Sequence, residues 1–151
     1  MKNILIVDGQ GGRIGRALTE RLAQRLESGD PEKPAFSLTV VGSNAMATAN
    51  MLKGSALARG ATGENAVIVC ARRADVIVGP VGILIADAML GEITPAMATA
   101  VSSSAARRVL IPMNTSGRTP CENYVVGVKD AGLSALLDEA AETAAKFAEE
   151  A

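Results

Sequence analysis

The chain of 151 residues contains no histidine and no tryptophan, one tyrosine, two phenylalanines and two cysteines. Each scarcity removes a class of function. Without histidine there is no Ser-His-Asp triad, no Cys-His pair, and none of the zinc sites that rely on imidazole. With so few aromatic rings there is no platform on which nucleic-acid bases would stack. Two cysteines, Cys70 and Cys121, make no disulfide framework. Charge of one sign is also missing: 15 basic residues face 16 acidic ones. That balance gives no electrostatic footprint for nucleic acid or an anionic membrane. Apolar runs are short and interrupted, so neither a signal peptide nor a membrane span is expected. A single domain over residues 1–151, cytoplasmic, without metal, is the expectation.

What is abundant is glycine, and it is concentrated where a strand meets a helix. Ile4-Leu5-Ile6-Val7 is a short continuous apolar run, as in a strand buried on both faces, and it leads into Asp8. Gly9, Gly11, Gly12 and Gly15 then fall within seven residues. Ile14, Leu18, Leu22 and Leu26 follow at four-residue spacing and predict an amphipathic helix over about 13–27. "SGDPEKP" is turn chemistry, "FSLTVVG" (36–42) a second strand, and Asn44 caps a helix drawn over 44–58.

In the middle of the chain, 63–73 is read as a helix capped by Thr62, because Val67, Cys70, Ala71 and Ala74 keep helical spacing. The β-branched run Val67–Val69 argues the other way. "DVIVG" (75–79) is a central strand. "VGILIADAML" is read as a short apolar helix ending at Gly91. A helix with Thr94 as cap and Pro95 at its first position follows. Strands are expected at 108–113 and 124–128, and a last helix carries Leu133, Leu136, Leu137, Ala140, Ala144 and Phe147.

Alternating strands and helices predict an α/β fold: a doubly wound, mainly parallel five-stranded sheet with helices on both faces. Such sheets bind ligands beyond the carboxyl ends of their strands, where strand order reverses. The expected cofactor site is therefore Gly9, Gln10, Gly11, Gly12, Arg13, Ile14 and Gly15, with Ser43 and Asn44 after the second strand and Gly79, Pro80, Val81 and Gly82 after the third. Thr62, Glu64, Asn65 and Asn114 lie along the same edge as candidate substrate contacts. Glycines opening a helix present bare N–H groups to an anion, helped by the helix dipole. The loop is not a P-loop, because Arg16 and Ala17 stand where lysine and a hydroxyl would be needed. Asp87 and Glu92 are the nearest acids. Glu92 is expected in a turn between helices, out of reach of the loop.

The stretch "GQGGRIGRAL" resembles the fingerprint of dihydrodipicolinate reductases, roughly G-x-G-G-R-M-G-R. The resemblance covers about the first 20 residues. It implies that backbone around Gly12–Ile14 and the side chain of Arg13 hold the pyrophosphate of NAD or NADP. The chain departs from that family in lacking a second domain and the His- and Lys-bearing catalytic segment. Its second strand also ends in "VVGSNA", without an acid for the ribose hydroxyls. Over nearly its whole length, through "DGQGGRIG", "GATGENAV", "ADVIVGPVGI" and "MLGEITPAMA", the chain resembles an uncharacterised family of small bacterial Rossmann-like proteins. That resemblance implies a nucleotide site and no particular activity. Two functions are carried forward. One is an NAD(P)-dependent oxidoreductase, since the cofactor supplies hydride chemistry without histidine. The other is a non-catalytic module that senses a nucleotide or phosphate ester. Residues 81–106 hold Ile83, Leu84, Ile85, Met89, Leu90, Met97 and Val101, more apolar surface than one sheet face is expected to cover. A homodimer through this region is expected.

Overall fold

The computed structural model describes residues 1–112, 115–116, 119–120, 125–126 and 132–150. Five parallel strands form one sheet: β1 (Lys2–Asp8), β2 (Phe36–Gly42), β3 (Arg59–Thr62), β4 (Val76–Pro80) and β5 (Arg107–Ile111), in the order β3-β2-β1-β4-β5. Helices α1 (Arg13–Glu27), α2 (Ala45–Leu52), α3 (Glu64–Arg73), α4 (Pro95–Ser103) and α5 (Leu133–Glu149) complete the layers. A two-stranded antiparallel ribbon, β6 (Thr115–Ser116) with β7 (Thr119–Pro120), lies apart from the sheet pairing. This is the doubly wound, Rossmann-like arrangement that the strand–helix alternation predicts.

Alternation along the strands divides the core in two. Ile4, Ile6, Leu38, Val40, Val76 and Val78 pack with Leu18 and Leu22 of α1, Met51 of α2 and the alanine face of α5. Leu5, Val7, Val41 and Ile77 pack with Val67 and Ala71 of α3, and with Met97, Ala98 and Val101 of α4. Successive side chains of a strand point to opposite faces, so a strand covered on both sides reads as an unbroken apolar run. Ile4, Leu5 and Ile6 are wholly buried for that reason. The alanines of α5 (140, 141, 144, 145 and 148) let that helix lie close to the sheet.

Five details differ from the sequence reading. Helix α2 stops at Leu52 rather than at 58: the chain turns at Gly54, where a Cβ would come within 2.9 Å of Thr19. The strand that follows, β3, is a short edge strand (RGAT) with no apolar run to announce it. Thr62 is its last residue, and Gly63, with φ of 98°, takes the N-cap position of α3 in its place. The helix expected over 81–90 is one 3-10 turn, Val81–Leu84, followed by irregular backbone. Asp87, Met89 and Leu90 hold φ of 64°, 58° and 57°, values that a right-handed helix excludes. Finally, the described sheet has β3 as its fifth strand, and of the strand expected at 124–128 only two residues are described. Val125 and Val126 are not in a strand, and Val126 is 86% exposed; the rest of that segment lies outside the described residues.

The helix at 63–73 and the cap at Thr94 stand as expected. The Thr94 side chain accepts a hydrogen bond from the Met97 N–H at 3.2 Å, with Pro95 at the first helical position. Ile83 and Val101 are fully buried and Met97 nearly so, inside the α3/α4 layer, so the chain itself covers much of the apolar surface in 81–106. Leu90 is the large exception, 91% exposed. Among the described residues no helix is long and apolar enough to cross a membrane.

Candidate functional site

The strand order places the reversal between β1 and β4, and the crevice at that point opens beyond Asp8 and Pro80. The glycine loop lies on one side of it and Val81–Gly82 on the other. Asp8, the last residue of β1, is buried beneath the loop. Its two carboxylate oxygens accept hydrogen bonds from the N–H groups of Gly9 and Gly15, each at 2.8 Å. Burial pushes the Asp8 carboxyl up to about 6; the bonds from Gly15 and Gly9 oppose this, and the nearby charge of Glu92 adds to it.

Packing accounts for three of the four glycines. A Cβ on Gly12 (φ 70°) would come within 2.6 Å of the Ala47 carbonyl oxygen. One on Gly15 would collide with the Met51 sulfur and stand 3.0 Å from Asp8. One on Gly9 would meet Met89 Sδ at 2.6 Å and Ser43 Oγ at 2.8 Å. Gly11 is different: it is exposed, its φ is not positive, and a Cβ there would meet nothing within 4 Å. No contact within the protein requires that residue to be bare.

Helix α1 starts immediately after, with Gly12 as N-cap and no side-chain cap. Arg13 is exposed and has no hydrogen bond or ion pair within the described residues. Arg16, by contrast, is held by Glu20 at 2.9 Å and Asn50 at 3.1 Å. Two asparagines hold the loop carbonyls: Asn44 Nδ2 donates to the Gln10 oxygen at 3.0 Å and Asn50 Nδ2 to the Gly11 oxygen at 2.8 Å. Asn44 also caps α2 by accepting from the Ala47 N–H.

The residue that sequence reasoning missed is Glu92. The irregular segment after Leu84 carries it back onto the glycine loop. Its Oε1 accepts from the Gln10 N–H at 2.9 Å, from Ser43 Oγ at 2.7 Å and from Asn44 Nδ2 at 2.6 Å. Burial works against its charge, but the bonds from Ser43, Gln10 and Asn44 outweigh it and hold the carboxyl below the usual range. The only sequence clue was Gly91 beside it, at φ 91°, which marked a turn but not its direction. Met89 belongs to the same segment. Its sulfur lies over Gly9 and its methyl lies beside Gly82, so its side chain occupies the crevice between the two strand ends.

The other predicted residues divide. Gly79 is buried, and a Cβ there would collide with the Val7 carbonyl oxygen, so its bareness belongs to β1–β4 pairing. Pro80 ends β4, and Val81 and Gly82 open the 3-10 turn at the crevice. Ile14 is half-buried against the α1/α5 core layer. Thr62 is bonded to Thr48, whose hydroxyl also meets the Gly42 N–H and the Ala61 carbonyl oxygen. Glu64 accepts from Thr94 Oγ1 at 2.6 Å, joining the starts of α3 and α4. Asn65 is exposed at the start of α3. Among the described residues, none of these three is hydrogen-bonded to the glycine loop. Asn114 and Cys121 lie outside the described residues. Among the described residues no group of three or more metal-binding side chains occurs.

A search of curated proteins gave no match. Residues 3–149 match the profile of a family described as a domain of unknown function, DUF3842. A match over nearly the whole length, on a five-stranded parallel sheet with its crevice at the β1–β4 reversal, assigns the chain to that family.

Proposed function

We propose that this protein binds a nucleotide cofactor, NAD or NADP, with its pyrophosphate on the turn Gly11–Ile14. Gly11 carries the reading. It stands at the mouth of an uncapped helix, exposed, with room for a side chain that it does not have. A phosphate pressed against backbone N–H groups is what a Cβ at that position would obstruct. Arg13, exposed beside it, is placed to neutralise the anion. If the protein is an enzyme, hydride transfer fits best, because the cofactor supplies the chemistry and the chain has no histidine.

The second reading is a sensor. It is favoured by the two carboxylates nearest the crevice, Asp8 and Glu92, which are both hydrogen-bonded into the loop rather than left for proton transfer. Occupancy would then be read through self-association at 81–106, where Leu90 is exposed.

Gly11→Ala tests the common core of both readings. Its thermal stability should stay within about 0.5 kcal/mol of the parent, as for a surface change that touches nothing. Its affinity for NAD or NADP, measured by calorimetric titration, should fall at least tenfold. Unchanged affinity would show that no phosphate rests on this turn. Sedimentation with and without the cofactor then separates the sensor from the enzyme.

A further inference from the structure

The second strand ends without an acid, and in dinucleotide-binding sheets that position supplies the carboxylate for the ribose hydroxyls. Here Gly42 pairs with Asp8 in register, and Ser43 and Asn44 follow immediately. Those two side chains hold a carboxylate that comes from elsewhere. Glu92, delivered by the segment after β4, rests its Oε1 on Ser43 Oγ, Asn44 Nδ2 and the Gln10 N–H. That oxygen already receives three donors. Oε2 has no hydrogen-bond partner among the described residues, and Gly9 lies close by: a Cβ there would be 3.4 Å from Oε1.

We infer that Glu92 replaces the missing acid of β2, its Oε2 accepting from the hydroxyls of an unphosphorylated ribose, so that the site selects NAD over NADP. The inference rests on the nucleotide reading above. The chemistry is direct. A carboxylate accepts two hydroxyl donors well. A 2′-phosphate in the same place would set two anions against each other, and no arginine follows β2 to offset them. Ser43 and Asn44 are then positioning residues, acting through Glu92. Sequence alone leaves the choice open: "VVGSNA" removes an acidic barrier to a 2′-phosphate, but no arginine on that loop would hold one.

The test is titration of the intact protein with NAD and with NADP, for the parent, Glu92→Gln and Ser43→Ala. The parent should bind NAD at least tenfold more tightly. Glu92→Gln, nearly isosteric but uncharged, should lose most of that ratio, by weaker binding of NAD, stronger binding of NADP, or both. Ser43→Ala keeps the charge but removes one of the three donors that position Glu92, so it should lower the ratio by less than Glu92→Gln does. Thermal unfolding of each variant checks that it is folded. A parent that binds both cofactors equally, or a Glu92→Gln variant that weakens both by the same factor, overturns the role of Glu92 while leaving the cofactor site intact. A folded parent that binds neither overturns both.

Discussion

Gly12 and Gly15 are bare for reasons internal to the fold, and Gly11 is not. The distinction rests on what a single added carbon would touch. At Gly15 it would collide with Met51, whose side chain is wholly buried. Gly15→Ala should therefore lower the unfolding free energy by about 1–3 kcal/mol, the usual cost of overpacking a filled site. Urea unfolding measures it. Combined with Met51→Ala, the loss should be smaller than the sum of the two single losses, because the second change removes the atoms that the first one strikes. The sequence displayed the four glycines plainly. It did not distinguish those needed by α2 packing from the one that no contact requires to be bare, since Ala47 and Met51 approach the loop only when α2 is folded against it.

The segment between the 3-10 turn and α4 is where local pattern and final structure part. Ile83-Leu84-Ile85 and Met89-Leu90 suggested a short helix. Instead Asp87 donates its N–H to the Ile93 carbonyl oxygen at 2.7 Å, and Ile93 donates back to the Ala88 oxygen at 3.2 Å, closing a tight loop. Three non-glycine residues with left-handed backbone lie within it. Each such residue costs about 1–2 kcal/mol relative to one at negative φ. The contacts that offset this are buried Ala88 and Ile93 and the bonded carboxylate of Glu92. Leu90 adds strain and, at 91% exposure, little packing. Leu90→Gly should stabilise the protein by about 0.5–1 kcal/mol, once the greater freedom of glycine in the unfolded chain is deducted. A rise in the urea midpoint at constant slope would check this. Helices α1, α3 and α5 were legible because their buried faces repeat at helical spacing. The edge strand β3 was not, because only one neighbour pairs with it and its residues are polar or small.

For the molecule as a whole, Asp8 links stability to pH. Its carboxyl titrates near 6 in the folded protein, against an ordinary value of 3.8. The folded state holds that proton more tightly than the unfolded chain does. The resulting stabilisation is fully present below the ordinary carboxylate range and is lost as pH rises through about 6, a swing of about 3 kcal/mol. Glu92 acts in the opposite sense and at lower pH: its depressed value gives stability at neutral pH that is lost as acid protonates it. Subtracting the unfolding free energy of Asp8→Asn from that of the parent, measured from pH 4 to 7.5, isolates Asp8. The difference should decrease as pH rises. A difference independent of pH would mean that Asp8 is no more than a hydrogen-bond acceptor for Gly9 and Gly15.

Sequence alone determined the layered α/β architecture, because runs such as Ile4–Val7 tolerate burial only in the middle of a sheet covered on both faces. It also determined the place of the crevice, since parallel connections put every strand's carboxyl end, and the loop after β1, on one edge. It excluded histidine chemistry outright. Only the tertiary structure decided which residues meet there. Glu92 is 82 positions from Gln10 in the chain and 2.9 Å from it in space. No periodicity or spacing encodes that approach, because it depends on three left-handed residues that turn the backbone out of a helix and back towards β1. The same fold that used three glycines for packing left Gly11 open, and no local pattern could distinguish them.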